Sequence, residues 1–239
     1  MTYELVGRLM GASNATFLVA DDDGERWVYK PVVGERPLWD FPEGTLGLRE
    51  VMAYEVSEAL GLGVVPETIW DSGPFEEGSF QRFIDGRVSD AVDLIAVEDM
   101  SDDWLAVTTG LDAERRPVVL VHRDDSRLRR MALLDAIINN ADRKAGHIIE
   151  FDGRLYGVDH GVSFNVDDKL RTVLWGFMHE PFDGDERAIL AEAAALQPLL
   201  PGLHDDEWAA LRRRAAALLE QGEFPAPSAD WPAIPWPPF

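Results

Sequence analysis

The stretch NNADRKAGHIIEFDGRLYGVDHG, residues 139–161, contains two aspartates, Asp142 and Asp159, with a basic pair and a histidine between them. Two short apolar runs also lie between the aspartates, separated by Asp152 and Gly153, and Asp-Gly is a strong signal of a hairpin turn. The pattern therefore predicts a loop that carries Asp142, then a β-hairpin, then the second aspartate directly after it.

The residues on both sides of this stretch have helical patterns. DSRLRRMALLDAIINNA, residues 125–141, begins with Asp125 or Ser126 as a capping residue. Its apolar side chains recur at helical spacing, at Leu128, Met131, Leu134, Ile137 and Ile138. Further along the chain, residues 185–221 contain two helical runs, and the loop QPLLPG separates them.

The first third of the chain is predicted to be rich in strands. ATFLVADDDGERWVYKPVV, residues 15–33, indicates two strands joined by an Asp-Asp-Gly turn, and Lys30 ends the second. Residues 48–60 have helical spacing and predict a helix. VVPETIWDSG and GSFQRFIDG, residues 64–73 and 78–86, predict two more strands with glycine at their ends.

Two further segments have weaker or unusual patterns. Residues 87–117 are acidic and weakly patterned, and we expect a surface segment around a short helix there. The tail FPAPSADWPAIPWPPF, residues 224–239, carries six prolines in its last 15 residues and is predicted to be extended. Its large aromatic side chains are expected to pack back onto the body, with docking in a protein partner as the alternative: Phe224, Trp231, Trp236 and Phe239.

These elements together predict an α+β, two-lobed fold for the chain of 239 residues. Residues 1–84 are expected to form a β-rich N-terminal lobe with one main helix. Residues 85–222 are expected to form a mostly helical C-terminal lobe, and residues 223–239 a Pro/Trp-rich tail. Since 46% of the residues are apolar, the chain can bury a sizeable core.

Composition limits the classes of function. With 44 acidic against 22 basic residues, the formal net charge is −22, which opposes binding to nucleic acid and to anionic lipid surfaces. The absence of cysteine excludes disulfides, cysteine nucleophiles and thiolate metal sites. Because the sequence shows neither an apolar run of 18 residues nor a signal-peptide pattern, we expect a cytoplasmic protein without an integral membrane segment.

Four residues occur in an order and context that suit phosphoryl transfer. Lys30 would contact the phosphates, and Glu50, or Glu55 about one turn later, would hold it by an ion pair. Asp142 would orient or deprotonate the attacking hydroxyl. Asp159 would bind the metal ion that neutralises charge on the phosphates.

Five motifs occur in the order of a known family. They are VYKP (28–31), REVMAYEVSEALGLGVVPET (49–68), GSFQRFIDG (78–86), LDAIINNADRKAGHII (134–149) and YGVDHGVSF (156–164). With them the chain resembles the phosphatidylinositol 3-/4-kinase superfamily, most closely the type II phosphatidylinositol 4-kinases and a group of actinobacterial kinase-like proteins. The resemblance implies a two-lobed protein-kinase-like fold and the use of ATP with Mg²⁺ or Mn²⁺, and it favours Glu50 over Glu55.

The resemblance also assigns roles to individual residues. It implies that the catalytic residues are Lys30, Asp142 and Arg143, with Glu50 as the partner of Lys30. It implies a phosphate-covering loop in GRLMGASNATFLV, residues 7–19, with Gly11, Ser13 and Asn14 facing phosphate. The backbone near Gln81 and Phe83 would bind adenine, and Asp159 would bind metal.

The sequence departs from the family at two places. His147 stands where relatives usually have an asparagine as second metal ligand, and imidazole suits Mg²⁺ poorly. Either His147 binds a Mn²⁺-like ion, or one ion suffices, or transfer is impaired; a hydrogen-bonded structural role is an equal alternative. The cysteine-rich insert of the type II lipid kinases is missing, and the charge of −22 disfavours a lipid acceptor.

Three hypotheses for function follow. The first is a kinase that transfers phosphate from ATP to a hydroxyl of a small molecule or protein. The second keeps the fold as a nucleotide-binding pseudokinase or an AMP-transferring regulator, which His147 would favour. The third is a metal-dependent hydrolase that uses the Asp/His cluster: Asp142, His147, Asp159 and His160.

Overall fold

The computed structural model describes residues 2–10, 14–42 and 44–239. Within these residues the α-helices are Leu46–Ala59 (α1), Ser126–Ile138 (α2), Gly184–Ala195 (α3) and Asp205–Gln221 (α4). The strands are Glu4–Arg8 (β1), Phe17–Ala20 (β2), Arg26–Pro31 (β3), Thr68–Gly73 (β4), Glu76–Arg82 (β5), Arg87–Val88 (β6), Val92–Ala96 (β7), Trp104–Leu111 (β8), Pro117–Arg123 (β9), Ile148–Phe151 (β10) and Arg154–Gly157 (β11). No helix in this part of the chain is both long enough and apolar enough to cross a bilayer.

The N-terminal strands form one antiparallel sheet in the order β1-β2-β3-β5-β4. Alternate side chains of β3 are buried, so Trp27 and Tyr29 point into a small aromatic core. The ring of Phe80 stacks on Tyr29 with centroids 4.3 Å apart, and on Tyr3 with centroids 4.2 Å apart. Helix α1 packs against strands β4 and β5 of this sheet, so the predicted strands and helix of the N-terminal part are present.

The C-terminal half differs from the prediction of a mostly helical lobe. Between residues 85 and 222, all of which the structure describes, three helices are accompanied by two three-stranded antiparallel sheets, β11-β10-β6 and β7-β9-β8. The short helix predicted within residues 87–117 is present only as one 3-10 turn, Val97–Asp99, and strands make up most of the segment. The run Val118–Val121 of β9 is buried and pairs with both β7 and β8, which explains why this acidic segment is ordered as a sheet.

Helix α2 lies at the centre of the main core and confirms the helix predicted at residues 125–141. The carboxylate of Asp125 caps it by accepting a hydrogen bond from the backbone N–H of Arg127 at 2.8 Å. Its last turn ends at Asn139, which has the left-handed conformation (φ 57°). The predicted apolar stripe is buried against α4 and the neighbouring elements.

Helix α1 is attached to the C-terminal half by a buried ion pair. Arg49 is almost fully buried, pairs with Glu207 on α4, and donates a further hydrogen bond to the carbonyl of Ser163 at 2.7 Å. Removing one partner of such a pair leaves an uncompensated buried charge. The position of α1, and so of Glu50 one residue later, is therefore set by both halves of the molecule.

Only part of the tail packs against the rest of the protein. Phe224 is buried and Trp231 is half-buried, as expected from the sequence. Trp236, however, is 85% exposed and Phe239 is 51% exposed, so the expectation that all four aromatics pack back is wrong for these two. The four prolines between residues 231 and 239 keep this end extended without a sheet partner.

Candidate active site

Three charged side chains from distant parts of the sequence meet at one point. The ammonium group of Lys30, at the end of β3, donates a hydrogen bond to Glu50 Oε1 on α1. It donates a second one to Oδ1 of Asp159, just after β11, at 2.8 Å. The structure therefore brings together the predicted lysine, glutamate and second aspartate, and it pairs Lys30 with Glu50 rather than with Glu55.

Close backbone packing positions Lys30. A Cβ at Gly78 on the neighbouring strand β5 would lie 2.3 Å from the carbonyl oxygen of Lys30, so only glycine fits there. Asp159 has a φ of 62°, a left-handed conformation that is uncommon for a residue with a side chain and is often found at functional sites. These backbone features aim the two side chains at each other.

Glu50 has a second partner on its other oxygen. Its Oε2 accepts a hydrogen bond from the backbone N–H of His160 at 2.9 Å, and the carboxylate is buried. One side chain on α1 therefore holds both the lysine of β3 and the segment that carries Asp159. This contact joins the N-terminal sheet to the hairpin of the C-terminal half.

The charges of the site stabilise each other. Burial acts to lower the pKa of Lys30, but Asp159 and Glu50 outweigh it and raise that pKa above its ordinary value. Lys30 lowers the pKa of Asp159 well below its usual range, although burial opposes this. Lys30 therefore stays an ammonium ion and Asp159 a carboxylate at neutral pH, the two forms that phosphate and metal binding require.

The loop after α2 carries Asp142 and a second cation. The backbone N–H of Asp142 donates to Asn140 Oδ1 at 3.0 Å, which fixes the turn. The carboxylate of Asp142 pairs with Lys144 Nζ at 2.9 Å, and both side chains are partly exposed. Sequence reasoning missed Lys144; its spacing of two residues from Asp142 was the available signal, because residues two apart in an extended loop point to the same side.

Arg143 does not face the site, which corrects its prediction as a catalytic residue. Its guanidinium group is fully buried and donates two hydrogen bonds to Asp135 on α2, each of 2.8 Å. It also donates to the carbonyl of Val158 at 3.1 Å and approaches His160 Nε2 at 2.7 Å. A buried side chain cannot contact substrate, so Arg143 positions the loop and the Asp159 segment instead.

His147 and His160 have different surroundings. His147 Nε2 lies 3.4 Å from Asp159 Oδ2, and its buried Nδ1 has no hydrogen-bond partner among the described residues. Burial lowers the pKa of His147, so the ring is neutral and has a lone pair available. His160 is buried, with a pKa lowered by burial and by Arg143, and its Nε2 faces that arginine.

Nε2 of His147 and the carboxylate of Asp159 are a donor set that fits a divalent cation such as Mn²⁺. The four-residue cluster of the hydrolase hypothesis is not assembled, because His160 points to Arg143. In residues 2–10, 14–42 and 44–239, no group of three or more His, Asp or Glu side chains is arranged to hold a metal ion. Among the described residues His147 and Asp159 are the proposed ligands, and the nucleotide and water would supply others.

The other residues predicted to contact nucleotide, where the structure describes them, are not brought together as Lys30, Glu50 and Asp159 are. Gly11 and Ser13 lie outside the described residues. Asn14 Oδ1 accepts a hydrogen bond from the backbone N–H of Arg36 at 2.9 Å, which ties it to the loop after β3. Gln81 is in the interior strand β5 with its side chain bonded to Thr68, and these contacts hold it within the sheet.

Phe83 follows directly after β5. Its backbone N–H donates to the carbonyl of Arg26 at 2.9 Å, so this donor is already used within the N-terminal half. The guanidinium group of Arg26 also lies over its ring, 4.6 Å from the centroid. Adenine binding by Gln81 and Phe83 stays a prediction, and the N–H of Phe83 would have to exchange its partner to contribute.

One curated protein is a clear sequence relative. The protein Rv2133c of Mycobacterium tuberculosis (strain ATCC 25618 / H37Rv) is 46% identical over 258 aligned residues. The alignment covers 98% of this chain and 91% of that protein. A comparison with models of protein families gives no match.

Solved structures show that the fold is that of the protein kinases. The Golgi casein kinase with Mn/ADP bound has a TM-score of 0.53 at 14% identity, covering 92% of this chain and 72% of that chain. The Helicobacter pylori proinflammatory kinase CtkA has a TM-score of 0.50 at 11% identity, covering 93% of this chain and 92% of that chain. The predicted α+β, protein-kinase-like fold is confirmed at this level.

Proposed function

The chain belongs to the same family as the mycobacterial protein Rv2133c, and from its kinase-like fold and its site we propose that it is a metal-dependent phosphotransferase that uses ATP. The observation that carries the proposal is the Lys30 ammonium group, bonded to Glu50 and to Asp159. A lysine fixed by a glutamate and placed beside a metal-binding aspartate is the arrangement that phosphoryl transfer requires. The Golgi casein kinase, of similar fold, was crystallised with Mn and ADP, which is consistent with this assignment.

Each residue then has a defined task. Lys30 binds the phosphates of ATP, and Lys144 adds positive charge beside Asp142. Asp142 accepts the proton of the acceptor hydroxyl. The oxygen of that hydroxyl forms a bond to the γ-phosphorus while the bond between the γ-phosphorus and ADP breaks. His147 and Asp159 would hold a divalent cation, which when bound neutralises charge on the phosphates.

The acceptor is a hydroxyl group on a protein or small molecule. Membership of the phosphatidylinositol 3-/4-kinase superfamily is part of the proposal and rests on the five sequence motifs. A phosphoinositide acceptor fits poorly, because a chain of net charge −22 is repelled by an anionic membrane surface. Transfer of AMP, or nucleotide binding without transfer, would use the same lysine and aspartates.

A thermal melt of the purified protein tests nucleotide binding. With ATP and Mn²⁺ or Mg²⁺ at about 100 times the dissociation constant, the folded state should gain roughly 2.7 kcal/mol. For a chain of this length the melting temperature should rise by about 5–10 °C. The rise should need nucleotide and metal together, with each alone and ATP plus chelator as controls; no rise under any condition would contradict the proposal.

Asp142→Asn is the matched variant for the chemical step. It keeps the size of the side chain and removes its basicity, so the thermal shift with ATP and metal should persist while turnover is lost. ATP turnover that survives in this variant would show that Asp142 is not the base.

His147→Asn tests the metal site. Asparagine offers an oxygen ligand that Mg²⁺ prefers, so the variant should keep or increase activity with Mg²⁺ and lose any advantage of Mn²⁺. The measurement is the ratio of turnover with Mn²⁺ to turnover with Mg²⁺ in both proteins. A large loss with both metals would show that the imidazole itself takes part in the reaction.

A further inference from the structure

The end of the tail returns to the loop that carries Asp142. The carbonyl of Pro238 accepts a hydrogen bond from the backbone N–H of Ala145 at 2.8 Å. A Cβ placed on Gly146 would lie 3.8 Å from the carbonyl carbon of Phe239, so the last residue passes directly over this glycine. Because Ala145 is three residues after Asp142, their Cα atoms are at most about 11 Å apart. Residues 238 and 239 therefore lie against the loop that carries the proposed base.

The tail is anchored upstream of this contact. The carbonyl of Ala233 accepts hydrogen bonds from the backbone N–H of Thr172 at 3.1 Å and from the indole of Trp175 at 2.7 Å. The ring of Trp231 lies against the ammonium group of Lys169, 4.8 Å from the ring centroid. Pro235 is buried. Residues 231–235 thus belong to the body of the protein.

The terminal tetrapeptide, residues 236–239, is held much less firmly. Trp236 is 85% exposed and Phe239 is 51% exposed, so neither ring contributes a buried anchor. Its contacts with the loop are the hydrogen bond from Ala145 to Pro238 and the approach of Phe239 to Gly146. A segment attached in this way can leave without disturbing the core, since its anchor at residues 231–235 stays in place.

We propose that the terminal tetrapeptide occupies the subsite through which an extended polypeptide acceptor binds the loop at Ala145 and Gly146, and that it holds this subsite closed. The inference rests on the proposed phosphotransferase function. The contact is made by main-chain groups of a proline-rich, extended segment, and any extended polypeptide can offer the same carbonyl. Small hydroxyl compounds have no such group in that position.

The composition of the tail supports its role as an occupant that cannot react. Residues 229–239, ADWPAIPWPPF, contain no serine, threonine or tyrosine. The segment therefore contacts the loop that carries Asp142, at Ala145 and Gly146, without presenting a side-chain hydroxyl for transfer. Its prolines reduce the entropy lost when it binds, which favours the closed state over a flexible tail of equal length.

Removal of the tetrapeptide tests the inference. A chain that ends at Pro235 should transfer phosphate from ATP to a mixture of synthetic peptides, each with one serine in random flanking sequence, about three to ten times faster than the full chain. The synthetic pentapeptide of residues 235–239 should reduce this gain when added in excess. A second variant, Pro237→Gly with Pro238→Gly, keeps the full length, loosens the segment, and should give a smaller increase.

The control is Asp230→Ala, which changes an exposed tail residue upstream of the anchor and should behave as the full chain. If truncation leaves peptide transfer unchanged while both chains hydrolyse ATP, the closed subsite is wrong and the phosphotransferase function stands. If transfer to glucose or myo-inositol rises and transfer to peptides does not, the polypeptide acceptor is wrong. If neither chain shows a thermal shift with ATP and metal, nor any transfer, the proposed function fails and the inference falls with it.

Discussion

Replacement of Lys30 by methionine is expected to reduce ATP turnover by about 10²–10³-fold, the range seen when one preorganised charge is removed from an active site. The ammonium group is fixed by Glu50 and by Asp159, one of the two proposed metal ligands. Methionine keeps most of the length and volume of the side chain but cannot bind phosphate. The measurement is the steady-state rate at saturating ATP and metal, together with the thermal shift that ATP produces.

A second variant separates this loss from a loss of folding. Lys30→Met leaves the buried carboxylate of Glu50 without its cation, which costs about 3–5 kcal/mol when one partner of a buried pair is removed. Lys30→Met combined with Glu50→Gln removes both charges, and the amide oxygen can still accept from the N–H of His160. The double variant should regain stability and remain inactive. A folded double variant that turns over ATP within about tenfold of the parent would exclude Lys30 from the mechanism.

Arg143→Met should lower the free energy of unfolding by about 3–5 kcal/mol, because it leaves Asp135 as an unpaired charge in the core. The variant also removes the donor to the carbonyl of Val158, the residue before Asp159. For a chain of this size the melting temperature should fall by roughly 6–20 °C. Thermal or urea unfolding measures the effect.

Two control variants test whether the effect of Arg143→Met comes from the buried ion pair. Arg143→Met with Asp135→Leu replaces the buried pair by apolar side chains and should recover much of the lost stability. Arg213→Met changes an exposed arginine of α4 and should shift stability by less than about 0.5 kcal/mol. If Arg143→Met left the melting temperature unchanged but abolished phosphate transfer, the buried, structural role of Arg143 would be wrong.

Local signals in the sequence predicted many elements of the fold. The cap at Asp125 and the apolar spacing after it place the start of α2 within a residue of its observed position. The Asp152-Gly153 pair predicts the turn between β10 and β11, and the hairpin of β2 and β3 follows from a similar turn. These signals depend on residues close in sequence, so the elements can be predicted without knowledge of tertiary contacts.

The sheet of β7, β8 and β9 was missed for a physical reason. Strand β8 carries mostly exposed side chains and β7 has two, so their composition resembles that of a surface loop. Only β9 has a buried apolar run, Val118–Val121, and that run was the available signal. The other two strands are ordered by pairing with β9, a non-local effect that composition does not report.

The same limit applies to the site. The order of Lys30, a helix glutamate and Asp159 along the chain suggested that three such side chains meet, and the family resemblance favoured Glu50 over Glu55. The adjacent cations Arg143 and Lys144 could not be distinguished, because only the fold reveals that one is buried against Asp135 and the other pairs with Asp142. Nor does the sequence reveal that Pro238 contacts Ala145, since that contact joins residues more than 90 positions apart.

The two oxygens of Glu50 have a consequence for how this site tolerates change. One oxygen binds the lysine of the N-terminal sheet and the other binds the backbone beside Asp159. A change at Glu50 therefore alters the positions of Lys30 and Asp159 together. Aspartate at position 50, shorter by one methylene, would reach one partner or the other. Substitutions there should therefore give an all-or-none response rather than a graded one, and anything that rotates α1 acts on lysine and metal ligand at the same moment.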